Sequence, residues 1–229
     1  MTLSSLKIGH NIDAIPSIHG RSVFAQEVRR KFLSNRYDCI AVELPLSVAP
    51  YVNQGVDRLP YVSCFVFLEN SGKNIYIPID PADSIIEAIR LARHEKIDLW
   101  YIDADVEDFQ PETILLPDEY PIHKISLEEY YDCVKVAVNQ KEPSPQQKQR
   151  EMHMGATLTE LSRKYKKILY VCGINHLEGV KNNFRLNLPY FDSPTDSKIG
   201  TLYNVEPSTV YFLQGELPFI TYLFEKSRY

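Results

Sequence analysis

The sequence lacks the features that announce a membrane protein, a disulfide scaffold or a nucleotide site. No stretch of about 18 apolar residues is present, so no segment reads as a membrane span. The opening residues, MTLSSLKIGH, lead into no continuous apolar region, which argues against a signal peptide and makes a cytoplasmic location the default expectation. The four cysteines, Cys39, Cys64, Cys133 and Cys172, contain no C-x-x-C pair, and 229 residues is long for a disulfide-held fold. All four read as reduced and structural. Neither G-x-x-x-x-G-K-S/T nor G-x-G-x-x-G occurs, so no nucleotide cofactor is expected. There is no G-x-S-x-G elbow and no H-E-x-x-H. The nearest approach to the latter, His94-Glu95-Lys96-Ile97-Asp98, reads as a polar helix exit. No excess of positive charge is present: 25 Lys and Arg stand against 30 Asp and Glu, the net charge of −5 argues against a nucleic-acid partner, and the basic run at Lys164, Lys166 and Lys167 reads as a solvated helix end.

What is present is an ordinary globular composition, 44% hydrophobic and 24% charged, in a length that suits one domain over residues 1–229. Short runs rich in β-branched and aromatic residues alternate with helical patterns. Residues 12–18, 38–44, 61–68, 74–79, 98–103 and 167–173 read as strands, as does 209–213 (TVYFL) near the end. Helices are expected over 22–34 (capped by Ser22), from about 84 to 94 after the turn Asp80-Pro81-Ala82-Asp83, over 126–138, over roughly 145–165, and in the amphipathic tail 218–226. The proline-broken stretch 110–124 reads as a long connection and Lys141–Gln149 as a mobile one. Continuous apolar strands interleaved with helices predict an α/β fold with a central, mostly parallel sheet flanked by helices.

In such sheets ligands gather at the carboxyl ends of the strands. The polar residues there are His19, Glu43, Asp80, Asp103 with Asp105, and His176. Two imidazoles and a carboxylate suit a divalent metal (Mn, Co or Zn) with an open position for water, whose pKa such a metal lowers toward about 7. His19, Glu43 and His176 are the candidate metal ligands. Each residue also has a structural alternative. His19 can hydrogen-bond a loop, Glu43 can pair with Arg21 or Arg150, and His176 can start a helix. Asp80 and Asp83 can cap one, and Asp103 and Asp105 can form a turn. His10 and His123 read as surface residues.

These same positions carry a family resemblance. CGINHLEGV (172–180) resembles the G-x-x-H-x-x-G element of the TraB/PrgY family, which belongs with the Tiki, ChaN-like and erythromycin-esterase-like proteins, through Gly173, His176 and Gly179. SIHG (17–20) is similar to its first histidine element, AVELP (41–45) to its V-E-L element, LWYIDADV (99–106) to its D-R-D strand, and QREMHMGATL (149–158) to its E-R-D helix. The sequence departs from the pattern at Pro16, Ala104 and Gln149, and no arginine follows Glu43 until Arg58. The resemblance implies an erythromycin-esterase- or ChaN-like α/β fold and adds Arg150 and Glu151 to the site; helical spacing puts both on the face of Met154 and turns His153 outward. It implies a hydrolase of a peptide, amide or ester bond, metal-dependent in Tiki-like members. Glu43, Arg150, Glu151 and His176 are then the catalytic candidates, and Asp80, Asp103 and Arg150 the substrate-binding ones.

Three readings remain open. One is the metal-dependent hydrolase acting on a peptide or small molecule. The second is a regulatory or peptide-binding module that keeps the pocket without the chemistry. The third is a metal-free hydrolase using Glu43 and His19 as acid and base. The tail reads either as a dimerisation helix, giving a homo-oligomer, or as the end of the N-terminal domain of a longer protein.

Overall fold

In the computed structural model the described residues are 4–111, 116–138, 142–190 and 196–228. A short strand, β1 (Lys7–Ile8), precedes β2 (Ile12–Ser17), helix α1 (Ser22–Leu33) and β3 (Cys39–Pro45). Then come α2 (Ala49–Val56), the hairpin β4 (Ser63–Leu68) and β5 (Asn74–Ile79), α3 (Ser84–Glu95) and β6 (Asp98–Asp103). The second half contains α4 (Leu127–Val138), α5 (Pro145–Lys164), β7 (Ile168–Gly173) and α6 (Leu177–Arg185). It closes with β8 (Gly200–Asn204), α7 (Pro207–Leu213) and α8 (Pro218–Lys226). Among the described residues no helix is long and apolar enough to cross a membrane.

The predicted parallel sheet exists. Its order is β1-β2-β7-β3-β6, parallel throughout except for β1. Every residue of β2 and β7 is buried, which is how a sheet covered on both faces must look. Helix α3 packs on β3, and α5 packs on α6 and β6. Pro16 lies within β2 without disrupting the sheet. Strand β1 pairs only as far as Asp13, with one further bond from the Ala14 N–H to the Leu6 carbonyl. Beyond that point the outer edge of β2 has no strand partner, so the missing N–H of Pro16 costs no ladder bond.

The hairpin β4–β5 does not join this sheet. It forms a separate antiparallel sheet, β5-β4-β8, whose third strand was not legible in the mixed sequence GTLYN. Helix α2 was likewise missed, although Ala49, Val52, Gly55 and Val56 form its buried stripe. The segment 209–213, expected as a strand, is helical in α7. Pro207 at its start has φ preset for a helix, and none of its residues is buried against a sheet.

Local chemistry explains most helix starts. Asp83 caps α3 by accepting from the N–H groups of Ile85 at 2.8 Å and Ile86 at 3.2 Å. Ile85, Ile86, Ile89 and Ala92 then face the core as expected. Ser22 does not cap α1; Arg21 holds that position, and the Ser22 hydroxyl donates to Glu216 at 2.6 Å. The stretch expected to be mobile is mostly the first turn of α5, capped by Ser144 through the Gln147 N–H at 3.1 Å. Lys141 lies outside the described residues, as do 112–115 of the long connection, which contains one 3-10 turn at Tyr120–His123. All four cysteines are free thiols; three are buried, but Cys133 is exposed on α4, so it is not a core residue.

The tail returns to the body of the protein. Phe224 of α8 is buried, Glu225 pairs with Arg90 at 2.7 Å, and Arg228 pairs with Glu87. At the other end of the tail, Gly215 meets Gly20 backbone to backbone. A Cβ on Gly215 would stand 2.9 Å from the Gly20 carbonyl oxygen, and Gly20 itself has φ of +70°, a conformation open to glycine.

Candidate functional site

The parallel strands bring the expected residues to one end of the sheet. His19 lies just past β2 and Glu43 within β3. Asp103 ends β6 and His176 follows β7. Arg150 and Glu151 reach the same place from the first turns of α5.

Arg150 is the hub. Its Nε donates to both Asp103 oxygens at 3.0 Å, and its Nη2 donates to Asp103 Oδ2 at 2.6 Å and to Glu43 Oε1 at 2.7 Å. The ion pair anticipated for Glu43 is thus with Arg150. The second Glu43 oxygen accepts from the Gly173 N–H at 2.6 Å. His176 is nearly fully buried, with Nε2 3.3 Å from Glu43 Oε1 and 3.4 Å from Arg150 Nη1. Its Nδ1 lies 3.1 Å from Glu151 Oε1, so both ring nitrogens face a carboxylate. Gly179 makes room for that carboxylate, since a Cβ there would fall 1.8 Å from Glu151 Oε2.

His19 approaches from the open side. Its Nδ1 is 3.2 Å from Asp83 Oδ2, which also accepts the Gly20 N–H at 2.9 Å. Its Nε2 lies toward Glu43. A Cβ added at Gly173 would touch both, at 3.5 Å from His19 Nε2 and 3.4 Å from Glu43 Oε2.

The charges settle one another. Burial alone would push the Glu43 carboxyl up, but His176, Arg150 and His19 outweigh it and hold the pKa below the ordinary value. Burial raises Asp103, against the pull of Arg150, and the like charge of Glu43 adds to the rise. Burial opposes the charged form of His176, yet Glu43 and Glu151 lift its pKa. For His19, crowding by protein opposes the charge and the Asp83 carboxylate overrides it, moving the pKa from 6.5 toward about 9. The ring sits in a concave mouth with 54% of its side chain open to water, so solvent screening holds the value between those limits.

Some expectations are met only in part. Asp80 lies outside the cluster, in an adjoining cavity that His19 and Asp83 also line. Asp105 accepts from the Ser47 hydroxyl at 2.6 Å instead of entering the site. His153 is turned away, half-buried, with its ring 6.3 Å from Tyr190. Sequence reasoning missed the second role of Asp83, which caps a helix and holds His19 with the same carboxyl group. It also missed Gln147, one turn before Glu151, which donates to Glu151 Oε1 at 2.7 Å.

As a metal site the trio is preoccupied. The guanidinium of Arg150 already stands on Glu43, and among the described residues no three His, Cys, Asp or Glu side chains stand as a ligand set. An ion held by His19, Glu43 and His176 would have to displace the Arg150 guanidinium. The arrangement supplies instead an exposed imidazole oriented by a carboxylate, backed by a buried row of paired charges. Comparisons with protein-family models, with curated proteins and with solved structures find no match for this chain.

Proposed function

We propose that the protein is a metal-free acid–base hydrolase of ester or amide bonds, with His19 as the proton-transfer group. One observation carries the reading. Asp83 holds His19 through Nδ1, leaving Nε2 turned to the space over Gly173 that Glu43 also faces, at the mouth of a cavity. A carboxylate bound to one imidazole nitrogen fixes the ring and stabilises its protonated form.

Neutral His19 takes a proton from water through Nε2 as the water oxygen bonds to the carbonyl carbon. The tetrahedral intermediate then expels its alcohol or amine, and His19 returns the proton to the leaving group. Arg150, paired with Glu43 and Asp103, keeps Glu43 ionised behind the reacting groups. Glu43 and His176 hold Arg150 and the Gly173 backbone in place. The resemblance to TraB/PrgY-like proteins supports the hydrolase class. The guanidinium on Glu43 favours the metal-free route over a metal held by His19, Glu43 and His176.

The second reading, a non-catalytic peptide-binding module, is favoured by a different observation: both buried carboxylates, Glu43 and Asp103, are engaged by Arg150. Turnover separates the two. A panel of p-nitrophenyl esters and peptide anilides is expected to release nitrophenol or aniline with wild-type protein, and His19→Ala is expected to lower kcat/KM by about 100-fold or more. A folded wild type that turns over none of the panel, yet retains a peptide ligand equally well after His19→Ala, overturns the hydrolase reading.

A further inference from the structure

The cavity beside His19 has a chemistry of its own. It measures about 370 Å³, within the roughly 300–1,000 Å³ range of small-molecule pockets. Its walls come from β5 (Ile77, Pro78), the start of α3 (Asp83, Ile86) and the tail (Leu213, Gln214). Its surface is mainly apolar. Asp80 breaks that lining and is itself only 2% exposed.

Asp80 is incompletely satisfied. Its Oδ1 accepts from the Ala82 N–H at 2.9 Å and from Gln214 Nε2 at 3.3 Å. Its Oδ2 and the Gln214 Oε1 are buried with no hydrogen-bond partner among the described residues. Both orphans are acceptors. A buried acceptor left unpaired is costly, and both residues line the same cavity. A group that satisfies them must bring N–H or O–H donors, and an ammonium brings three with no acceptor of its own.

Charge points the same way. The titratable lining groups are Asp80, Asp83 and His19, two carboxylates against one imidazole, with Glu216 near Asp80 on the tail side. Asp83 is committed to His19, Gly20 and the α3 cap. Burial, with Asp83 and Glu216 adding to it, pushes Asp80 up to about 6, so a cation beside it would relieve a group that its surroundings hold unfavourably.

We infer that the cavity between His19, Asp80 and Gln214 is a subsite for a primary ammonium group carried on an apolar chain. Calling it a substrate subsite rests on the hydrolase reading of His19; that it binds amines does not. The chain lies on Leu44, Ile77 and Leu213, the ammonium stands at the Asp80 carboxyl beside Gln214, and the scissile carbonyl is then presented toward His19. The substrate class is an amino-bearing ester or amide. The tail thereby contributes to recognition, because Gln214 belongs to it and the Gly20–Gly215 contact fixes its position.

Calorimetric titration at pH 7 with n-hexylamine, 1-hexanol and hexanoate tests this. The expected result is binding of n-hexylammonium at least tenfold tighter than 1-hexanol, with hexanoate weakest. Asp80→Asn abolishes the preference for the amine, and Gln214→Leu lowers amine affinity by several-fold. Should Asp80→Asn fail to fold, Gln214→Leu alone carries the test. No amine preference in wild type, or an undiminished one in the folded variants, overturns the inference. The hydrolase reading fails separately, as amine binding without turnover of any ester or anilide.

Discussion

Asp83 accepts the Nδ1 side of His19 at 3.2 Å and, with its other oxygen, caps helix α3. One carboxyl group thus joins a structural task to the candidate chemistry. A substitution that separates the two tasks is informative. Asn keeps an oxygen for the cap while removing the charge that His19 feels.

In an NMR titration, the His19 pKa is expected above the ordinary 6.5 in wild type and to fall toward it in Asp83→Asn. The linkage has a definite sign. A raised His19 pKa adds stability that is fully present below 6.5 and is lost as pH rises through the folded value. The lowered Asp83 pKa adds stability above 3.8 that is lost as pH falls through its folded value. The pair therefore stabilises the fold most between pH 3.8 and 6.5, and unfolding midpoints across pH should show that contribution vanish in Asp83→Asn. An identical His19 titration in both proteins would remove the pairing.

Activity should follow the opposite trend. A general base acts in its neutral form, so a raised pKa leaves most of His19 protonated near neutrality. The kcat/KM for an ester is expected to climb with pH along a limb set by His19, between 6.5 and about 9, and the limb should move to lower pH in Asp83→Asn. A flat profile over that interval contradicts the assignment.

Removing Arg150 should damage the fold. Arg150→Met strands Glu43 and Asp103, which are 5% and 7% exposed, and an uncompensated buried charge costs about 3–5 kcal/mol. Adding Glu43→Gln and Asp103→Asn to Arg150→Met is expected to recover part of the loss, since paired neutralisation removes the stranded charges. Urea unfolding of the single and triple variants measures both. A single variant as stable as wild type would mean that the network is not buried as described.

Gly179→Ala probes the Glu151–His176 contact. The added methyl would overlap the end of a flexible carboxylate, so Glu151 turns away while the backbone stays. The expected outcome is a loss of about 1–3 kcal/mol and a lower His176 pKa, because one of the groups that raises it is displaced. A matching fall in Glu151→Gln, followed by NMR, confirms the cause; an unmoved His176 titration in both variants rules it out.

A chelator test addresses the metal directly. Turnover of an ester is expected to survive overnight dialysis against excess EDTA and to gain nothing from added Mn²⁺, Co²⁺ or Zn²⁺. Loss of activity on dialysis with recovery on adding one of these ions would restore His19, Glu43 and His176 as ligands.

The periodicity and composition of the sequence determined the α/β class and the four parallel strands, because buried strands must be continuously apolar. The placement of polar residues at strand ends was enough to nominate His19, Glu43, Asp103 and His176, since parallel strands of one sheet deliver their carboxyl ends to the same side. Local chemistry likewise offered Asp80 and Asp83 as caps for α3, and the fold uses Asp83. Other features depended on neighbours distant in the chain. Strand β4 of the hairpin pairs with β8, more than 130 residues beyond it, and no local pattern in GTLYN marks that partner. Arg150 could have met any carboxylate in reach; only the packing of α5 against β6 placed it between Glu43 and Asp103. The orphaned oxygens of Asp80 and Gln214 arise where the tail folds back onto the start of α3, a contact between residues 134 positions apart. Burial and pairing are properties of assembled surfaces, so the sequence nominated the charged residues and the tertiary structure decided which were satisfied, which were exposed and which were left unpaired.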